Sequence, residues 1–471
     1  MGHDNETATL GKTAKRLRAG ELSASTLWAT MRERHDARGN KLNAYVVWAA
    51  GLAAQMATGA DAAFAAKLDL GPLQGLPISF KDHYGVAGLP TYAGSSKQLP
   101  IKWETEGPIV KEAKKQLAVF VGKTHTVEFA ASVIGDNPHW GAPRNPWDAE
   151  TPRGTGGSSS GAVVSLWEGS CMAAFGTDTR GSVRIPGAMT GAVGLKTTAG
   201  RWSTEGIVPL DPQDDTPGPI ALSVEDAAFV FGAIDPTHSA DSQALLNDLA
   251  GARLGDFTIG MADSCFWDEC SPGIAETVHQ ALTELETSGA RLTDTISPES
   301  REIQHDFSRG RIPMPELYSF LEGELPEWIE QLEPRLAKRR KYMERLTITE
   351  DQASKSRVHT LASAATTCFG NVDVIACPTV PRTPPALVDG VPHYAVGDPP
   401  EITWARNTAP ANFFGWCAIT LPVGLDSENM PVGLQLMGPG GSEEKLLAVA
   451  LAAERKLGTV KSRIGKPPLL N

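Results

Sequence analysis

Three consecutive serines, Ser158, Ser159 and Ser160, stand in a glycine-rich stretch, RGTGGSSSGAVVS (153–165). Hydroxyls in such a setting can cradle a phosphate, present a nucleophile or belong to a linker. A phosphate loop of the Walker type needs a lysine followed by Ser or Thr after its last glycine, so that a fixed cation meets the phosphates. Here Gly161 is followed by Ala162 and Val163. Gly157, Ser159 and Gly161 do spell G-x-S-x-G, the tight turn that lifts a nucleophilic serine between a buried strand and a helix. That turn requires an apolar strand just upstream, and residues 143–154 (PRNPWDAETPRG) hold three prolines and several charges instead. A Gly/Ser linker is the default for this composition, and the residues that follow weigh against it.

Downstream, GTDTRGSVRIPGAMTGAVGLKTT (176–198) follows the small apolar run CMAAF. With GLPISFKDHYGVAG (75–88), GDNPHWGAPRNPWD (135–148), DTPGPIALSVEDAA (215–228) and the late LPVGL and PVGLQLMGP (within 421–439), these ordered motifs resemble the amidase signature family. The resemblance covers most of the chain and is weakest over 240–370. It matches Lys81, in SFKD, to the base, Ser158 to a bridging serine after a cis peptide bond, and Ser182 to the nucleophile. The backbone N–H groups of Thr179, Arg180, Gly181 and Ser182 match the donors that receive an oxyanion. Such chemistry is workable without histidine: a buried lysine can be neutral near neutral pH, and a serine hydroxyl can accept one proton while donating another. The resemblance implies no metal and no cofactor, and a small amide, aryl amide or carbamate as substrate.

Each residue also has a plainer reading. Lys81 beside Asp82 reads as an ion pair and Ser182 as a turn serine, while Asp178 and Arg184 read as a structural pair holding a loop. His83 and His125 are expected to be satisfied structural histidines, because the lysine fills the base role. Trp140, Phe413, Phe414 and Trp416 read as core aromatics, with Trp140, Phe413, Trp416 and the Arg180 side chain as candidates to line the substrate pocket. Departures from the family pattern include Arg180-Gly181, where many members have Gly-Gly, and Trp416-Cys417, where Leu-Pro is common. Ile185 stands where proteins that draw ammonia from glutamine usually carry glutamine, which argues against that role. The alternatives are a silent binding homologue and a glutamine-dependent amidotransferase subunit; the complete Lys81, Ser158 and Ser182 set argues against the first.

The elements that must position these residues read as α/β. Apolar runs LPISF (76–80), LAVFVG (117–122), FTIGMA (257–262), VDVIACP (372–378), AITLPV (418–423) and VGLQLMG (432–438) alternate with helical patterns. The expected architecture is one large domain, residues 1–471, with a mixed central sheet flanked by helices and a charge-rich helical insertion or lid at about 300–370. Helices are expected to start at Ser223, in a capping box with Asp226, and at Ser442. The proline-rich run 378–401 reads equally as ordered surface loop or hinge. With 471 residues, 41% of them hydrophobic, the chain can bury a sizeable core. Its 43 basic and 55 acidic side chains give a net charge of −12, and the one basic cluster, KRRK at 338–341, reads as a solvated helix face. Nucleic acid and anionic membrane are therefore not expected as partners. The opening residues show no apolar core of a secretion signal and no run reaches about 18 apolar residues, so a cytoplasmic monomer or homodimer is expected. Six thinly spread cysteines read as reduced thiols, and Cys265 and Cys270 lack the second pair a zinc site would need.

Overall fold

Every one of the six apolar runs becomes a strand. The computed structural model describes residues 8–309, 311–312, 314–389, 391–392 and 401–470. Its strands are β1 (Tyr45–Trp48), β2 (Pro77–Lys81), β3 (Val119–Thr124), β4 (Ala173–Asp178), β5 (Val193–Lys196), β6 (Thr216–Ala221), β7 (Thr258–Met261), β8 (Arg291–Asp294), β9 (Val374–Pro378), β10 (Leu387–Val388), β11 (Val391–Pro392), β12 (Cys417–Leu425) and β13 (Pro431–Gly438). Eleven of them form one sheet in the order β1-β3-β2-β4-β6-β5-β12-β13-β9-β7-β8, and β10 and β11 pair as a small hairpin. Two parallel groups, β3-β2-β4 and β9-β7-β8, are joined through an antiparallel middle. The sheet is thus mixed, as expected.

Strands β2 to β6 and β13 are buried at every residue, which requires helices on both faces and explains why these strands do not alternate apolar with polar. Among the covering helices, Ser160–Glu168 and Arg184–Thr190 are buried along their whole length. Both begin beside a candidate serine.

Strands β1, β4, β5, β6 and β8 carry no long aliphatic run and are not expected from the apolar pattern. β6 (TPGPIA) holds two prolines. Its ladder with β5 runs only Val193↔Ala221 and Gly194↔Ile220, since Pro219 has no N–H to extend it; the Thr197 hydroxyl instead bonds the Pro217 carbonyl at 2.9 Å.

Between β8 and β9 the chain leaves the sheet for helices Pro298–Ser308, Glu316–Glu324, Pro334–Met343 and Ile348–Ala365. Leu317, Tyr318, Leu321, Leu325, Trp328, Leu332 and Leu336 from this excursion pack on Phe129, Ala130, Ala131, Val208 and Leu210. Both contacted loops lead to the site described next. The Ser223 box forms only by half: the serine caps Asp226 N–H at 3.0 Å, but the Asp226 carboxylate turns away to accept Leu10 N–H at 2.6 Å. Helix Glu443–Leu457 starts after Ser442, as expected. Of the run 378–401, residues 390 and 393–400 lie outside the described residues.

Candidate active site

Strand β2 ends on Lys81, which has no exposed surface. Its Nζ donates to Ser158 Oγ at 2.6 Å and to Thr177 Oγ1 at 2.7 Å. The neighbouring Asp82 is not its partner, contrary to the plainer reading, because Asp82 faces Lys123 at 3.0 Å. Burial lowers the Lys81 pKa to about 7, although Asp215 and Asp178 pull it up. A buried amine held by hydroxyls, with no carboxylate bonded to it, is poised to be neutral near neutral pH.

The serine run is bent into place by backbone contacts. The Gly157–Ser158 peptide is cis. Gly156 and Gly157 donate their N–H groups to Ile134 and Val133 carbonyls at 2.9 and 2.8 Å. A Cβ at Gly157 would lie 2.8 Å from the Ser132 carbonyl oxygen, so the loop can nestle there only with glycine. Ser159 Oγ is turned to the Thr177 carbonyl at 3.4 Å, buried against β4. Its N–H donates to the Ser182 carbonyl at 3.3 Å, which lays the Ser158 turn against the Ser182 turn.

The second turn leaves the end of β4. Asp178 receives Gly181 N–H at 2.8 Å, Val183 N–H at 3.1 Å, the Asn412 amide at 2.9 Å and two Arg184 donors at 2.9 and 3.0 Å. Arg184 also donates to the Thr408 carbonyl, Gln435 and Asn412. The Arg184 charge and these bonds hold the Asp178 carboxyl far below the ordinary carboxylate range in spite of burial. The expected structural pair is therefore present, inside a larger network.

Three expectations need correction. First, Gly181 N–H is taken by Asp178, which removes it from the four expected oxyanion donors; no hydrogen bond among the described residues takes the N–H of Thr179, Arg180 or Ser182. Ser182 itself is 3% exposed. Second, the Arg180 side chain belongs to the protein wall. It meets Asp214 at 2.6 Å and Asp211 at 3.2 Å, and its guanidinium lies 4.1 Å over the Phe413 ring. The 211–214 loop supplies two carboxylates that a side chain cannot leave cheaply in a buried setting. Third, His83 and His125 are buried without a side-chain partner: none of the four ring nitrogens has a side-chain hydrogen bond among the described residues, and His125 leans only on the Trp140 and Gly141 backbone. Burial lowers the His125 pKa to about 4, against an opposing pull from the Trp140 and Gly141 backbone. Burial also drives the His83 pKa well below its usual value, and Lys81 and Lys123 add to the effect.

The aromatic candidates separate. Phe413 stands with Arg180, two residues from Ser182 in sequence. Trp140 is half-buried, with its indole N–H on the Ser95 carbonyl at 2.8 Å and Tyr92 at 4.9 Å. Trp416 packs edge-on to Phe369 and near Phe414, and borders a small cavity with Phe266, Thr295, Ile375 and Met437. These neighbours place Trp416 in the core and not against the serine turns.

Thr177, Thr179, Asp211, Asp214 and Asp215 belong to this site and do not stand out in the sequence. Thr179 Oγ1 donates to Asp215 Oδ1 at 2.5 Å. The one available signal is the alternation in Gly-Thr-Asp-Thr (176–179), although β4 ends at Asp178 and Thr179 opens the turn.

The fold and site define an enzyme of the Amidase family, acting on carbon–nitrogen bonds. The family's sequence profile matches residues 27–447, and the chain belongs to that family. Among curated relatives, the 2-amino-5-chloromuconic acid deaminase of Comamonas testosteroni is 44% identical over 463 residues, covering 98% of each chain. A glutamyl-tRNA(Gln) amidotransferase component from a Cyanothece species is 30% identical, over 95% of this chain and 98% of its own. Among solved structures, an amidase superposes with a TM-score of 0.81 at 27% identity, covering 96% of this chain and 100% of its own. The peptide amidase of Stenotrophomonas maltophilia gives a TM-score of 0.78 at 26% identity, covering 96% of this chain and 97% of its own.

Proposed function

We propose that the chain is an amidohydrolase that cleaves the C–N bond of a small amide, aryl amide or carbamate through an acyl-enzyme on Ser182. The observation that carries this reading is the 2.6 Å bond between Ser158 Oγ and the fully buried Nζ of Lys81. Neutral Lys81 takes the Ser158 proton while Ser158 takes that of Ser182, and Ser182 Oγ attacks the carbonyl carbon. The developing oxyanion is received by the N–H groups that remain free in the turn, those of Thr179, Arg180 and Ser182, at about 3 kcal/mol for each donor. Collapse returns the proton to the leaving amine by the same route, and water then releases the acid and frees Ser182. The helices between β8 and β9 serve as a cover within the single domain, since they pack on Phe129–Ala131 and Leu210.

A second reading is favoured by the 44% identity to a deaminase: replacement of the amino group of an unsaturated amino acid by water. The amidotransferase reading draws less support, at 30% identity and with Ile185 in place of the usual glutamine. Purified protein assayed against anilides, aliphatic amides, aryl carbamates, glutamine and 2-amino-5-chloromuconic acid, with release of amine or ammonia measured, separates the three. Turnover of the amides or carbamates supports the hydrolase. Turnover of 2-amino-5-chloromuconic acid alone replaces it with the deaminase, and turnover of glutamine alone with the amidotransferase.

A further inference from the structure

Four carboxylates surround the 177–182 segment, and they are not equally balanced. Asp178 is bonded to Arg184 at 2.9 Å, while Asp211 and Asp214 share Arg180 at 3.2 and 2.6 Å. Asp215 has no ion pair among the described residues. Its Oδ1 receives the Thr179 hydroxyl at 2.5 Å, and its Oδ2 receives the N–H groups of Leu210 at 2.9 Å and Asp211 at 3.2 Å. Hydrogen bonds hold this carboxyl in place, with no bonded cation among the described residues to offset its charge when it ionises.

That charge faces Lys81. Thr177, in β4, holds the Lys81 amine, and Thr179, one residue past the end of that strand, holds the Asp215 carboxylate, so both groups are tied to neighbouring points of one segment, and Asp215 is the foremost of the charges that act on Lys81. The last pair between β4 and β6 is Asp178↔Thr216, so Thr179 and Asp215 are the residues just beyond the ladder on either side, joined by the hydroxyl bond. Asp178, between the two threonines, is turned to Arg184 and Asn412.

We propose that Asp215 is a positioning residue with two tasks: it clamps the oxyanion turn through Thr179, and as the one carboxylate here without a bonded cation it sets the pH at which Lys81 becomes neutral. This rests on Lys81 being the base. The other charged groups are accounted for. Lys81 also feels Asp178, whose charge Arg184 offsets, and lies near His83, which burial keeps neutral. Asp215 also feels Asp211, which Arg180 holds, and Lys196 lies toward Asp178 and Asp214. Burial raises the Asp215 pKa to about 7, against the Thr179 bond that lowers it. Losing the anion disfavours the Lys81 ammonium, so the amine becomes neutral at lower pH.

The test needs no known substrate. A fluorophosphonate probe forms a bond from Ser182 Oγ to phosphorus and expels fluoride, while the serine proton passes through Ser158 to Lys81. Its second-order labelling rate is followed from pH 5 to 9, with the labelled residue confirmed by mass mapping. Asp215→Asn is expected to move the midpoint of the rise down by about one pH unit, with a lower plateau. Thr179→Val removes the donor that favours the Asp215 anion and is expected to move the midpoint the same way, while Thr179→Ser keeps it at the wild-type value. If the folded variants Asp215→Asn and Thr179→Val both keep the wild-type midpoint, the role of Asp215 is overturned while the Lys81 assignment stands. Should Asp215→Asn fail to fold, the Thr179 pair decides. Labelling of Lys81→Ala at the wild-type rate would overturn the base assignment, and this role of Asp215 with it.

Discussion

Two buried lysines stand on neighbouring strands, Lys81 at the end of β2 and Lys123 in β3, and neither has exposed surface. Lys123 meets the Asp82 carboxylate at 3.0 Å and the Thr91 hydroxyl at 2.8 Å. Lys81 meets only hydroxyls. Burial lowers the pKa of both, but Asp82 lies against Lys123 and stabilises its ammonium directly, whereas the carboxylates that act on Lys81 do so without touching it. Burial alone therefore does not mark a base. What does is burial without a bonded counter-charge, beside a hydroxyl that can pass a proton.

The largest effect expected is from Ser182→Ala, which removes the atom that forms the acyl-enzyme and leaves no sizeable cavity. Turnover should fall by about 10⁴-fold or more, with fluorophosphonate labelling lost and the melting temperature kept. A label mapped to Ser159 in the wild type would instead revive the G-x-S-x-G reading. Next comes Lys81→Ala, expected to lower kcat/KM by about 10²- to 10⁴-fold at neutral pH. In the wild type, the rate should rise with pH through about 7, since the ammonium form below that value cannot accept a proton. A flat profile between pH 5 and 9 would end the contrast between the two lysines.

Lys123→Met tests the other side. It leaves Asp82 buried without its cation, at a cost of about 3–5 kcal/mol in urea or guanidinium unfolding, while the rate of the folded molecules stays within about threefold. A large loss of rate with stability intact would show that Lys123 shares in the chemistry. The smallest effect expected is from Arg180→Ala. With its side chain on Asp211, Asp214 and Phe413, the melting temperature should drop by several degrees while the preference between two substrates of different acyl group is unchanged. A changed preference at an unchanged melting temperature would return the side chain to the pocket.

Strands rich in Val, Ile and Leu are legible in the sequence because burial on both faces demands such runs, as in β3 and β13. β4 (AAFGTD) and β6 (TPGPIA) are not, since they carry small residues and proline in place of such runs; a Cβ at Gly176 would lie 2.6 Å from Ser159 Oγ. At the site, Lys81, Ser158 and Ser182 can be picked out because each lies within a recognisable motif. The fate of the Arg180 side chain cannot, because it depends on carboxylates 31 and 34 positions away in sequence that only the folded 211–214 loop brings near. The two histidines escape for another reason: composition tells which groups are buried, but not whether a partner waits for them.

The Asp178 network has a consequence for how such a sequence can drift. Its donors come from the 181–184 turn and from Asn412, and Arg184 spreads five side-chain bonds over Asp178, Thr408, Asn412 and Gln435. Asp178→Asn would set an amide against donors, and Arg184→Lys would give up the fork that reaches four residues at once. Each of these changes leaves buried donors or acceptors without partners, so a tolerated substitution at this corner needs a compensating one in the same network. Diversification toward new substrates then falls to segments that do not answer to Asp178, among them the 128–139 loop and the helices that rest upon it.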